Sequence, residues 1–243
     1  MPRRMGSPSP GTHRAVLTTA LYSAGASLPL VAGALVGVRW TPPKRVVAAA
    51  LAFAAGALII SASFELFEPA YESGGAGRSA LSFLAGAAVF VAADTYLDQR
   101  TAGNAAGLAL LAGVTLDGIP ENTALGVSLN DSASVALLVA VFASNFPEAL
   151  GGARAMIDRG RSRRFTILLW TAAAVLLAAA VFAGKYLFVN ASDQALSYPL
   201  AFAGGAVLAS VVDTLAPEAF GEGGPTIALA SAAGFVLGFV LSL

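Results

Sequence analysis

The chain has 243 residues, is 57% hydrophobic and only 12% charged, and carries zero formal net charge at pH 7. A soluble domain is about a quarter charged, so this balance argues for a polytopic membrane protein and leaves no basic field for nucleic acid. The absence of cysteine excludes disulfides, iron–sulfur clusters and thiolate metal sites, and the single histidine, His13, lies in a polar N-terminal stretch away from any apolar segment.

In chain order, MPRRMGSPSPGTHR reads as a disordered tail over 1–15, and 16–243 reads as one transmembrane domain. A spanning helix needs about 20 mostly apolar residues. Eight segments meet that length: 18–38, 46–71, 79–98, 104–130, 134–157, 164–188, 195–220 and 224–243. No small-residue cleavage site follows the first, so it reads as a membrane helix and not as a signal peptide. The breaks between segments (RWTPPKR, ESGGAGR, DQRTAG, NDSAS, DRGRSRR, NASDQ and GEGG) are short and polar, and none could hold a soluble domain. The expected fold is an all-α polytopic membrane protein, because lipid offers no hydrogen bonds to any other spanning backbone.

Lysine and arginine set the expected orientation. With eight spans, one face holds Arg39, Lys44, Arg45, Arg100, Arg154, Arg159, Arg161, Arg163 and Arg164, and the other holds Arg3, Arg4, Arg14, Arg78 and Lys185. The richer face is expected in the cytoplasm, with both termini outside an inner (plasma) membrane.

The second and seventh segments repeat one another. AFAAGALIISASFELFEPAYESGG (52–75) aligns without gaps to AFAGGAVLASVVDTLAPEAFGEGG (201–224), with ten identities that include Phe53, Gly56, Ser61 and the closing Gly74-Gly75. Segments two and seven are separated by an odd number of crossings and so run in opposite directions. This predicts an inverted-topology repeat, an architecture of secondary transporters that bind substrate between the repeats. The layout becomes three segments, two central ones, then three.

The two central segments carry the chemistry. Segment four has Asp117-Gly118-Ile119-Pro120-Glu121, and segment five has Ser144-Asn145-Phe146-Pro147-Glu148. Residues four apart share a helix face, which pairs Asp117 with Glu121 and Ser144 with Glu148. Each proline lacks an N–H, so Pro120 and Pro147 free the carbonyls of Leu116 and Ala143. A carboxylate at the bilayer centre costs several kcal/mol unless a base, a proton or a cation compensates it. The apolar centres contain no Lys or Arg, and Lys185 and Arg154 sit near segment ends, where they can snorkel. A proton or a cation remains. Acids gathered at one site also repel one another, so such a cluster can bind a divalent cation and release protons, or the reverse. A single intramembrane glutamate can instead be protonated and hydrogen-bonded, but two matched copies in adjacent helices favour the cation.

The paired Pro-Glu motifs DGIPENTALGVSL (117–129) and ASNFPEALGGA (143–153), the 3+2+3 layout and the inverted repeat resemble the ZIP (Zrt/Irt-like) divalent metal transporters, from about residue 16 onward. Typical members read His-Asn-x-Pro-Glu-Gly in the fourth helix and His-Glu-x-Pro-Glu, or a Gln/Asp version, in the fifth. The resemblance makes Glu121 and Glu148 the metal-holding glutamates and puts Asp117 at the position of a histidine. Ser144 and Asn145 fall at a variable ligand pair. Gly118 replaces an asparagine ligand, segment six lacks the acid that some members use for a second metal, and the histidine-rich loop before segment four is missing. The implied substrate is a divalent metal ion moved into the cytoplasm, with no organic cofactor. The implied surroundings are the lipid bilayer and a homodimer. Zinc is the expectation from the family. The all-oxygen donor set Asp117, Glu121, Ser144, Asn145 and Glu148 suits manganese or ferrous iron as well.

Further acids are Glu65, Glu68, Asp213 and Glu218, expected either along entrance and exit routes or solvated at the interface. Asp94 and Asp98 are expected at the interface. Two rival readings stand beside transport. One is a membrane protein of the same fold that binds or senses metal without carrying it. The other is an acid-pair intramembrane hydrolase, disfavoured because Asp117 and Glu121 come from a single helix.

Overall fold

The computed structural model describes residues 10–101, 106–130 and 133–243, and every regular element among them is helical. Seven helices are long and apolar enough to cross a membrane: His13–Gly37, Lys44–Gly74, Ala76–Leu97, Val135–Asp158, Arg163–Leu187, Asp193–Gly223 and Pro225–Ser242. The helix built from the expected fourth span is Ala106–Ser128, 23 residues long.

Helix α1 covers Pro10–Gly37. Residues 10–15 of the expected tail are therefore helical, as a proline at the first helical position permits, and 1–9 lie outside the described residues. The second rod is α2 (Lys44–Ser61), a π-helical stretch (Ala62–Phe67) and α3 (Glu68–Gly74). Helices α4 (Ala76–Thr101), α5 (Ala106–Ser128), α6 (Val135–Asp158) and α7 (Arg163–Leu187) follow. The next rod is α8 (Asp193–Ser210), a second π-helical stretch (Val211–Leu215) and α9 (Ala216–Gly223). A short 3-10 turn leads into α10 (Ala228–Ser242). The side chains of Ser134, Ser162 and Ser192 cap the N-termini of α6, α7 and α8 by accepting from the backbone N–H three residues on.

The backbone carries the repeat seen in the sequence. The two π-helical stretches begin 149 residues apart, at Ala62 and Val211. Each rod ends at a glycine with positive φ, Gly75 at 76° and Gly224 at 68°, also 149 residues apart. Only glycine adopts that conformation without strain, which accounts for the conserved Gly-Gly ending of the two copies.

Packing repeats in the same way. Helix α2 lies on α10, where a Cβ on Gly56 would collide with the Ser231 carbonyl and one on Gly234 with the Phe53 carbonyl. Helix α8 lies on α4, where Gly205 meets the Phe83 carbonyl and Gly86 the Phe202 carbonyl in the same reciprocal fashion. Gly126 of α5 and Gly184 of α7 form a third such pair, against the carbonyls of Val181 and Thr123. Gly33 and Gly37 of α1 seat against the carbonyls of Phe146 and Leu150 in α6. Helices in lipid gain little from apolar burial against one another, so close backbone approach through small residues supplies the association.

The central helices are enclosed by these pairs. Helix α6 packs on α1, α2 and α5, and α5 packs on α7, α8 and α6. One apolar cluster joins Leu58 and Leu66 of the second rod, Leu125 of α5, Leu137 and Val141 of α6 and Val207 and Leu215 of the α8 rod.

Valine in place of Gly56 or Gly205 is expected to destabilise the protein by about 1–3 kcal/mol or more, because backbone cannot move aside as a side chain can. Gly221→Ala, where a Cβ meets nothing within 4 Å, is the matched control and should be neutral or mildly stabilising. Thermal unfolding in detergent micelles measures the difference.

Candidate functional site

Helices α5 and α6 remain α-helical through Pro120 and Pro147. The two motifs therefore keep the expected helical register, with side chains four apart on one face. All five expected site residues are withdrawn from the surface: Asp117, Glu121, Ser144, Asn145 and Glu148 are each buried, Glu148 least so. The three carboxylates lie within electrostatic reach of one another, and Glu148 also senses Glu218.

Their neutral neighbours are fixed by hydrogen bonds. Asn145 Nδ2 donates to the Ala26 carbonyl of α1 (2.7 Å), which ties α6 to α1 and orients the amide plane. Ser144 Oγ donates to the Val141 carbonyl of its own helix (3.1 Å). Ser144 has thus spent its one hydrogen on its own helix, and the bond to Ala26 fixes the plane in which Asn145 presents its amide oxygen. Among the described residues no three His, Cys, Asp or Glu side chains converge on one point.

The structure adds residues that were not singled out from the sequence. Ser210, the last residue of α8, donates its hydroxyl to Asp117 Oδ2 at 2.6 Å inside the protein. Thr214 Oγ1 donates to the Ser210 carbonyl at 2.7 Å and so spends its own proton on the backbone. Ser210 is thus the donor and Asp117 the acceptor. Asn122, fully buried beside Glu121, donates from Nδ2 to the Gly118 carbonyl (2.8 Å) and keeps an Oδ1 with no hydrogen-bond partner. Asp94 of α4, expected at the interface, is half-buried and within electrostatic reach of Asp117. The sequence held a signal for Ser210, since it is one of the ten identities of the repeat. It held none for Asp94, whose approach depends on how α4 meets α5.

The bases are engaged away from these acids. Lys44 pairs with Glu222 at 2.7 Å and Arg154 pairs with Asp158, the two ion pairs among the described residues. Lys185 donates to the Leu129 carbonyl at 2.6 Å, and Asn130 Nδ2 donates back to the Lys185 carbonyl at 3.2 Å. These contacts stitch the ends of α5 and α7 together, so Lys185 is a helix-end anchor.

Of the outlying acids, Glu65 is half-buried, and Glu68 and Asp213 are exposed. Glu218 lines a cavity of about 250 Å³ with Lys44, Gly151, Arg154, Asp158 and Glu222. Gly151 is three residues beyond Glu148 on α6, so this cavity begins within one helical turn of the buried acids. The side chain of Asp98 lies outside the described residues.

In comparisons with known proteins, no protein-family model matches the chain and no curated protein matches it.

Ser210→Ala should destabilise the protein by about 1.5–3 kcal/mol, the usual range for a hydrogen bond to a charged group. Asp117→Asn still offers Ser210 an oxygen and removes a charge repelled by Glu121 and Glu148. It should leave stability unchanged or raise it. Thermal unfolding of the two purified variants, compared with the unmodified protein, separates these outcomes.

Proposed function

We propose that this chain is a ZIP-type membrane transporter of divalent metal cations, with eight spans in a 3+2+3 arrangement and an inverted-topology repeat. The observation that carries the reading is a set of three acids, Asp117, Glu121 and Glu148, buried on adjacent helices with no lysine or arginine paired to them among the described residues. Charges held this way are strongly unfavourable alone and favour a doubly positive ion that cancels their repulsion. The repeat supplies the second half of the reading. Two matched rods with matched π-helical stretches flank the central pair, as expected of halves that rock about a fixed site.

The cation is held by oxygen. Asp117, Glu121 and Glu148, which do not converge on one point without an ion, supply charge as it draws them together, and Ser144 and Asn145 supply neutral donors that reduce the number of acids required at one point. Oxygen donors suit manganese as well as zinc or ferrous iron, and nothing in the site offers the imidazole that would favour zinc. The cavity lined by Glu218 is the route from the site to the face that carries Lys44 and Arg154, which is the cytoplasmic face by its excess of basic residues. Movement is inward by alternating access.

A second reading, metal binding without transport in the same fold, draws on the absence of any acid in 164–187 of α7, which leaves no ligand for a second ion from that helix.

Uptake of manganese, ferrous iron and zinc into proteoliposomes, in competition, tests both readings. Glu121→Ala and Glu148→Ala should each reduce uptake to background, and manganese should compete with zinc. Wild-type transport by both variants would remove the site assignment. Equilibrium binding with no uptake would establish the second reading in place of the first.

A further inference from the structure

Hydroxyls inside a membrane helix ordinarily donate to the carbonyl three or four residues back, because lipid supplies no other acceptor. Thr19 donates to Ala15, Ser27 to Ser23, Ser63 to Ile59 and Thr171 to Ile167 in this way. Ser61 is different. It is completely buried, and its Oγ has no hydrogen-bond partner. A buried polar group left unsatisfied is costly, so a use for this oxygen is to be sought nearby.

The repeat locates that use. Ser61 ends α2 and Ser210 ends α8, and each is followed at once by a π-helical stretch. The residues just before them face outward partners: Phe53, Gly56 and Ile60 meet α10, and Phe202 and Gly205 meet α4. One helical step further, Ser210 is turned to α5 and reaches Asp117. Helix α2 packs on α6 as α8 packs on α5. The same step therefore turns Ser61 toward α6, the helix of Ser144 and Glu148.

The two serines differ in what they face. On the Ser210 side the residue at the head of the polar-x-x-Pro-Glu motif is a carboxylate, which accepts the proton. On the Ser61 side that residue is Ser144, whose own hydroxyl is spent on the Val141 carbonyl. The geometry points to Ser61 Oγ as a further oxygen ligand of the cation held by Asp117, Glu121 and Glu148. This inference rests on the cation-site reading given above. A hydroxyl at that place adds a lone pair without adding to the repulsion among the acids.

The experiment uses the purified full chain in detergent, with manganese and cadmium as separate probes. Binding is read by calorimetry, and folding by thermal unfolding without metal. Ser61→Ala should keep or raise the metal-free Tm, since it removes an unsatisfied group, and should weaken manganese binding on the order of tenfold. Ser61→Cys, which nearly preserves shape, should raise the preference for cadmium over manganese, because a thiolate is a soft ligand. The inference is overturned if Ser61→Ala binds manganese as the unmodified protein does, or if weaker binding comes with a lower metal-free Tm. Where Ser61→Ala does not fold, the cadmium-to-manganese ratio of Ser61→Cys decides, and an unchanged ratio overturns it. Glu121→Ala separates the two levels. If it loses binding while both Ser61 variants bind normally, the cation site stands and Ser61 is no part of it. If the unmodified protein binds neither ion, or Glu121→Ala binds as well as it does, the site reading fails and this inference fails with it.

Discussion

The architecture depends on backbone meeting backbone. In a bilayer an apolar side chain gains nothing by leaving lipid for protein, so helices associate by how closely their main chains approach. Here the contacts are reciprocal, with a glycine on each helix seated against a carbonyl of the other in the α2–α10, α4–α8 and α5–α7 pairs. Such contacts admit no side chain and little sliding, and they fix which face of each helix is left over. The faces left over from α2 and α8 turn inward, and those faces carry Ser61 and Ser210.

The buried acids can be understood only against this rigid frame. A flexible bundle would let water reach Asp117, Glu121 and Glu148, or let a lysine fold in beside them. The frame instead commits Lys44, Arg154 and Lys185 to contacts at helix ends. The hydrogen bonds that do reach the region come from uncharged groups. Ser210 holds Asp117, and Asn145 is held by the Ala26 carbonyl. Ser210 in this way orients Asp117 without bringing a base to it.

Much of this was legible in the sequence, for identifiable reasons. Segment length and apolarity gave the helices because spanning length is set by the bilayer. The spacing of Asp117 to Glu121 and of Ser144 to Glu148 gave shared faces because α5 and α6 stay helical through their prolines. The repeat was visible because its identities, Phe53, Gly56, Ser61 and Gly75 among them, lie at positions where the backbone needs that residue or that size. The approach of Asp94 to Asp117 was not legible, since it depends on packing between α4 and α5. The bond from Ser210 to Asp117 was hidden for the same reason, although the serine itself stood in the repeat. The start of α1 at Pro10 was masked by the polar composition of 10–15, where helix geometry continues past the apolar stretch.

The π-helical stretches also decide how the sequence of each rod must be counted. Hydrogen bonds that skip five residues take more residues per revolution than those that skip four. Beyond Phe67 and Leu215, therefore, the residues lag behind the face that a 3.6 period projects from Phe53 or Phe202. Glu68 and Glu218 keep their bearings only because that extra residue is there. Letting Ala62–Phe67 close into an ordinary α-helix with every residue kept would turn everything after it by about 100°. The rod would look intact to any measure of helix content, yet its final two turns would present a different stripe to their neighbours. In this protein a closure of the π-helical stretch with no residue gained or lost would act as a rotation, and a single-residue deletion there would be absorbed.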